Sequence, residues 1–579
     1  MKRILSYTKD HLLLTLFGSI SMIIVIVADL VNPYLIKNLT DKVIGEGDYG
    51  LLKPLLIGIA IITMVKFVFG YLKEFLFDYL ASKVAKQLKQ NLFDHIQSLS
   101  FSYFDNINTG ELMSRVGEDV DNIWMVLGFG LRLFIENIVY FLLASIILIR
   151  INLPLTIVAL TTMPIIAYIT VKLEKKLDNV FERISDHTAE LNTTAQENIA
   201  GVKLVKAFGR EKHEILKFLK YNSKNFDLNM ERASVWGKFY PIEEFLGNLS
   251  IVLVTCFGSI FVVQEKFSVG TLLAFISYLW LLIWPMRMLG WLISLLSQSR
   301  ASAKKIDKIL AIKPSVANCE YPIYLNAISG DITFENVSFK YNEKEVLKDI
   351  NLDIPAGSTV AIMGTTGSGK SSLISLLNRN YDICKGSLRI DNIDIKEIDL
   401  VTLRNSISIV PQDTFLFSDT IANNIRYGKN NATLEEIKSA CKAACAEEFI
   451  LDLEEGYDTL IGERGLGLSG GQKQRLCIAR ALIRECSILI LDDSTSALDM
   501  ETEYELLKNL YHSGRKVTTF IIAHRISAVK NADVILYMED GEIVESGNHE
   551  SLLDKKGKYY NIYKTQFKDF LADSKEEVC

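Results

Sequence analysis

The sequence predicts two unlike halves, an α-helical membrane domain with six transmembrane helices and an α/β domain built on a mostly parallel sheet. Three observations predict this. Six apolar runs long enough to cross a bilayer all lie before Arg300, strand-like and helical runs alternate after it, and a glycine-rich loop sits between one such strand and the next helix. Over 579 residues, hydrophobic side chains make up 49% and charged ones 23%, which excludes a disordered chain or an ordinary soluble enzyme. Lys and Arg total 63 against 69 Asp and Glu, so the net charge of -6 argues against a partner made of nucleic acid.

The elements follow in order. From Leu12 the chain reads LLLTLFGSISMIIVIVA before its first charge, Asp29. No small-residue cleavage site follows the basic start Met1-Lys2-Arg3, so this run is expected to be an uncleaved first span. Further spans are expected near 51–80, 123–149, 153–171, 245–263 and 270–296. An even number returns both ends of the domain to one side. Two of the intervening stretches, 81–122 and 172–240, are long and rich in Lys and Arg yet keep apolar residues at helical spacing, so the spans should run on as rods into the cytosol. Residues 312–330, with Pro314, Pro322 and Gly330, read as a linker between a membrane domain over 1–311 and an α/β domain over 331–579. Within the latter, DITFENVSFKY, STVAIMG, SISIV, SILILDD and VTTFIIAH read as strands. The eight cysteines are scattered without metal or disulfide spacing and are expected to be small core residues.

The α/β half carries the chemistry. Gly364-Thr365-Thr366-Gly367-Ser368-Gly369-Lys370-Ser371, followed by Ser372, fits G-x-x-x-x-G-K-[ST] after the strand TVAIM and before the helix SSLISLLNR. Such a loop marks an α/β P-loop nucleotide-binding domain. Its backbone N–H groups wrap phosphates at a helix N-terminus, Lys370 reaches the outer phosphates, and the Ser371 hydroxyl is placed for Mg²⁺. Beyond it, Leu468-Ser469-Gly470-Gly471-Gln472 precedes the helix KQRLCIARALI and the strand ILILDD, which ends in Asp492-Asp493.

Here the chain resembles the ATP-binding cassette (ABC) family of exporters along essentially its whole length, LSGGQ being that family's signature. The resemblance implies a half-transporter that binds ATP and Mg²⁺, works as a transport ATPase and pairs with a second half-transporter. Each signature then caps the nucleotide held by the other chain. Ser469, Gly470, Gly471 and Gln472 would thus contact the partner's ATP, and Asp499 in SALD would sit at the shared interface. The resemblance also implies that Tyr341 stacks on adenine, that Ser371, Gln412 and Asp492 hold the metal, and that His524 contacts the γ-phosphate and steadies the attacking water.

One position departs from the family. Asp493 stands where a glutamate usually orients the water. One methylene less withdraws the carboxylate by roughly 1.5 Å. A misplacement of about 1 Å can lower a rate on the order of 10²-fold. With an intact signature, the resemblance implies the weakly hydrolysing subunit of a heterodimer. Two alternatives stay open: a regulatory or channel-like subunit gated by nucleotide, and a homodimeric exporter.

SLSFSYFDNINTGELMSRV at 98–116 and ENIAGVKLVKAFGRE at 197–211 resemble the family's two coupling-helix regions, and Gly462-Glu463-Arg464-Gly465 resembles its X-loop. For cargo, Asp29, Lys66, Glu136, Glu243, Glu244 and Arg287 are cavity candidates because ionisable groups within spans are commonly functional. Tyr278, Trp280, Trp284 and Trp291 suit either an amphipathic cargo site or an interfacial belt. The expected setting is the plasma or inner membrane, lipid bilayer around the spans, with the nucleotide-binding domain and both termini cytoplasmic.

Overall fold

The computed structural model describes residue 7 and residues 9–462, 465, 467–511 and 516–566. The chain divides into two compact units, Met1–Ser98 with Ile107–Ile312, and Leu99–Asn106 with Lys313–Cys579.

The first unit is helical. Its six long apolar stretches are Leu12–Gly45, Tyr49–Ser98, Thr109–Ile151, Leu153–Ala200, Glu211–Val263 and Val269–Leu310. Every predicted span lies inside one of them. The helices nevertheless outrun the apolar runs, the fifth stretch reaching 53 residues. At 1.5 Å per residue that is about 80 Å, against about 30 Å of hydrocarbon.

The sixth stretch is the hub. Over its most apolar window 56% of residues are buried, whereas none are in the second stretch. Ala274, Phe275, Tyr278, Leu279, Leu282 and Ile283 recur at helical spacing and pack on Ala144 and Leu148, on Leu155, Ala159 and Ile166, and on Val254. Gly290 lets the fourth stretch approach closely, because a Cβ there would meet Glu174 and the Thr170 methyl. The second stretch instead presents Leu56, Ile57, Ile61, Met64 and Phe67 outward, a face that suits hydrocarbon.

The six ionisable cavity candidates are each partnered. Asp29 pairs with Lys66 and accepts a hydrogen bond from the Tyr140 hydroxyl at 2.6 Å. Glu136 meets Lys73 at 2.9 Å, and Arg132 meets Glu74 at 2.5 Å. Arg287 pairs with Glu244 at 2.7 Å, and Thr170 donates to Glu243 at 2.6 Å. These groups therefore hold helices together, whatever they do for a cargo. Trp280 and Trp284 face outward, Trp291 packs edge-on against Phe129, and the buried Tyr278 donates to the Leu30 carbonyl at 2.7 Å. The four aromatics thus do not form one face.

Among the described residues, the second unit contains two sheets. Strands β1 (Ile332–Tyr341), β2 (Lys344–Ile354), β4 (Lys385–Ile390) and β5 (Ile393–Asp394) form an antiparallel sheet in the order β2-β1-β4-β5. The other runs β10-β9-β3-β8-β7-β6, from β3 (Thr359–Gly364), β6 (Ile407–Val410), β7 (Ile488–Asp492), β8 (Thr518–Ile522), β9 (Val534–Glu539) and β10 (Glu542–Gly547). All its pairings are parallel except the β10 edge. The antiparallel sheet is the part that the expectation of a mostly parallel sheet does not cover. The parallel strands are apolar on both faces, Val360 and Ile362 entering one core while Ala361 and Met363 enter the other.

Residues 313–330 are strapped down rather than loose. Ile323 bridges to Ile398, Asn318 donates to Asp399 at 2.7 Å, and Arg379 donates to the Ala317 carbonyl at 3.0 Å. The cysteine expectation holds for the buried Cys441 and Cys477 but not for Cys256, Cys319 and Cys384, which are exposed; Cys445 and Cys486 are half-buried, and Cys579 lies outside the described residues. Cys256 lies on an outward face of a span, where a small apolar side chain meets lipid as readily as core.

Lys73 and Glu136 are each only 8% exposed at the side chain. Removing Lys73 leaves the buried Glu136 with only the longer contact to Arg132 at 3.7 Å, and breaking a buried pair costs up to about 3–5 kcal/mol. Lys73→Met should therefore lower the unfolding temperature of the purified protein markedly, and Lys73→Met with Glu136→Gln should recover most of the loss in a thermal melt.

Candidate nucleotide site

Strand register builds the site. β8 lies between β3 and β7, with Ile362 opposite Ile522 and Asp492 opposite the same residue. The C-terminal ends of three neighbouring parallel strands therefore finish together, the crevice where α/β sheets bind ligands. Gly364 opens the loop at the first end, Asp492 and Asp493 leave the second, and His524 follows the third.

The loop then wraps onto helix α1 (Lys370–Leu377). Gly364 has φ +147°, and a Cβ there would strike the Met538 carbonyl. Gly369 takes φ +101° at the N-cap of α1. Only glycine accepts both positions without strain. Lys370 curls back, its Nζ donating to the carbonyls of Gly364 at 3.1 Å and Thr365 at 2.8 Å. The Ser371 hydroxyl donates to Asp492 Oδ1 at 3.2 Å. One cleft of about 250 Å³ gathers Thr366, Gly367, Gly369, Lys370, Ser371 and Ser372 with Gln412, Asp492, Asp493 and His524. Val346 also lines it, at a position that sequence reasoning passed over because one valine in β2 has no motif around it.

Burial lowers the pKa of Lys370, opposed by the nearby charges of Asp492 and Asp493. Burial raises that of Asp492, opposed by the Ser371 hydrogen bond. The cleft thus holds a cation and a carboxylate that both lack full solvation.

Three expected groups lie apart from this cleft. Tyr341 packs edge-on against Phe339 and Tyr381, with ring centroids 4.8 and 5.1 Å away. Ser469 caps helix α2 (Gly470–Leu482) in a capping box with Gln472, and neither these residues nor Gly470 and Gly471 line the cleft of their own chain. Asp499 accepts from the N–H and hydroxyl of Thr502 at 2.9 and 2.8 Å, which makes it the cap of helix α3 (Met500–Tyr511). Glu463 and Arg464 of the expected X-loop lie outside the described residues.

The residues present fit Mg²⁺ with a phosphate ligand. The donors beside the loop are oxygens, a serine hydroxyl, a carboxylate and a glutamine amide. Mg²⁺ takes one or two protein oxygens and completes its shell with phosphate and water. Among the described residues no group of three or more His, Cys, Asp or Glu forms a self-sufficient metal cage. The buried Ser368 hydroxyl has no hydrogen-bond partner and lies within the loop, so a polar ligand has a group left to satisfy.

Residues 15–286 match the family model described as ABC transporter transmembrane region, and residues 347–496 match the one described as ABC transporter. An uncharacterized ABC transporter ATP-binding protein of Bacillus subtilis, YknU, is 36% identical over 98% of this chain and 97% of its own length. This chain belongs to the ABC transporter family. An ATP-dependent lipid A-core flippase of Syntrophus aciditrophicus is 35% identical over 98% of this chain and 94% of its own. A bacterial Atm1-family ABC exporter, solved with ATP bound, superposes with a TM-score of 0.81 at 28% identity, over 97% of this chain and 98% of that one. The chain is a membrane-embedded ABC exporter half, six apolar helices joined to an ATP-binding α/β domain, and its transport is ATP-driven.

The raised pKa of Asp492 means that the fold disfavours its ionised form, so any stability that it contributes is present at low pH and lost as pH rises through that value. Asp492→Asn should leave the unliganded protein as stable as wild type or more so at neutral pH, while abolishing the stabilisation by Mg·ATP. Paired thermal melts with and without Mg·ATP check both signs.

Proposed function

We propose that this chain is the weakly hydrolysing arm of a heterodimeric ABC exporter that expels amphipathic compounds from the cell, with the ATP-binding unit and both termini in the cytoplasm. The observation that carries the reading is the setting of Asp493. It holds φ +45°, its N–H donates to the Ile522 carbonyl at 3.1 Å, and its own carbonyl accepts the Ser496 hydroxyl at 2.9 Å. Backbone held on both sides leaves little slack to carry the shorter carboxylate forward to where glutamate would reach. A displacement of about 1 Å weakens the orienting of water on the order of 10²-fold.

The remaining residues keep their binding roles. Lys370 would turn from its own loop carbonyls to the outer phosphates, Ser371, Gln412 and Asp492 would hold Mg²⁺, Tyr341 would stack on the base, and His524 would contact the γ-phosphate. Mg·ATP, once bound, would supply the phosphoanhydride bond that is hydrolysed between the two cassettes. Ser469 to Gln472 present a capped helix N-terminus that is free of their own cleft, an anion cradle suited to the partner's nucleotide. Closure would swing the rods through the loops at 98–116 and 197–211 and reorient the cavity between the spans.

Purifying the tagged chain from its native membrane and weighing the intact complex tests the pairing. A second, different half-transporter in equal amount is expected. In that complex Asp493→Asn should change turnover less than two-fold, whereas Ser469→Ala should lower it about 10²-fold. Loss of the cap alone costs helix α2 about 1 kcal/mol, too little to unfold the domain. Equal losses from both changes, or a complex containing this chain alone, would overturn the asymmetric assignment.

A further inference from the structure

The expected base-stacking residue leads away from the phosphate cleft. Tyr341 meets the ring of Tyr381 edge-on at 5.1 Å, and Tyr381 in turn leans on Phe101 at 6.3 Å. The Tyr381 hydroxyl donates to Asp105 Oδ2 at 2.8 Å. Phe101 and Asp105 belong to residues 99–106, which pack within the second unit yet are continuous in the chain with the helix ending at Ser98 and the one beginning at Thr109. A cavity of about 390 Å³ beside Tyr341 is bounded by Asn342, Tyr381, Ser102, Asp105 and Asn106, room enough for a purine.

Packing alone would be served by phenylalanine at 381. The hydroxyl adds a directional, charge-assisted bond to the loop. Burial, with Asp105 beside it, pushes the phenol pKa far above its usual range, so the group stays a donor. The loop is also tied to residues 313–330: Ser100 accepts the Val316 N–H at 2.9 Å, and Ser102 shares a hydrogen bond with Ser315 at 3.0 Å. Tyr381 thus links the loop to the aromatic that would hold the base.

We propose that Tyr381 is a positioning residue that couples occupancy of the base site at Tyr341 to the seating of the 99–106 loop, so that the loop between spans two and three senses the base and not only the phosphates. This rests on the reading that ATP binds with its base at Tyr341. Linkage makes the effect reciprocal, since whatever base binding does for loop seating, loop seating does for base affinity.

The test uses the full-length chain in lipid nanodiscs and amide hydrogen exchange of peptides covering 99–106. Mg·ATP should slow exchange about five-fold, at the lower end of typical couplings. Mg·tripolyphosphate, which fills the phosphate loop without a base, should slow it less than two-fold. Tyr381→Phe should lose the ATP effect while binding tripolyphosphate as wild type does, Asp105→Ala should match it, and the double variant should add nothing. Retention of the full ATP effect in Tyr381→Phe, or equal protection by tripolyphosphate and ATP, would overturn the coupling. An absence of ATP binding by the wild-type chain, read from its thermal shift, would overturn the nucleotide reading itself and this inference with it.

Discussion

The in-register alignment of β3, β8 and β7 is the constraint on which the site depends. Each strand is apolar on both faces, so each must be covered by core on both sides, and parallel pairing then places all three C-terminal ends on one edge. Shifting β8 by one residue would send Phe520 and Ile522 into the core that now holds Ile521 and Ala523. It would also move His524 and the Ile522 carbonyl that holds Asp493. The chemistry is thus anchored by packing.

The membrane unit solves a different problem. Its spans must carry charges through an apolar medium, and they do so in pairs between stretches: Asp29 with Lys66, Lys73 with Glu136, Arg287 with Glu244. Pairs of this kind add less to stability than they impose on partner choice, because an unpaired member is so costly. They fix which faces of the first, second and third stretches meet, and likewise the fifth and sixth, while Gly290 and the apolar stripe of the sixth stretch set how closely the hub packs.

Much of this was legible in the sequence, for identifiable reasons. Spans are visible because about 20 apolar residues in a row have few other uses. The phosphate loop is visible because glycines at fixed spacing, a lysine and a serine fall between a strand and a helix. Gln412, Asp492, Asp493 and His524 line one cleft with the phosphate loop. What stayed hidden depends on rotation and distance. Lys73, Glu74, Arg132 and Tyr140 form pairs across sequence gaps that no local pattern encodes. The antiparallel sheet escaped because, although β1 reads as a strand, its pairings with β2 and β4 are broken by register shifts that blur the alternation. Tyr381 escaped because a lone tyrosine after a helix carries no motif, and its meaning comes only from Tyr341 and Asp105 beside it.

The central claim is that a site complete for binding is short by one methylene for hydrolysis. The most direct measurement is the ATPase rate of the purified chain, assembled with itself in lipid nanodiscs, before and after Asp493→Glu. The account expects slow turnover in the wild type and a rise on the order of 10²-fold in the variant, with ATP affinity unchanged. Brisk wild-type turnover that Asp493→Glu leaves the same would contradict it.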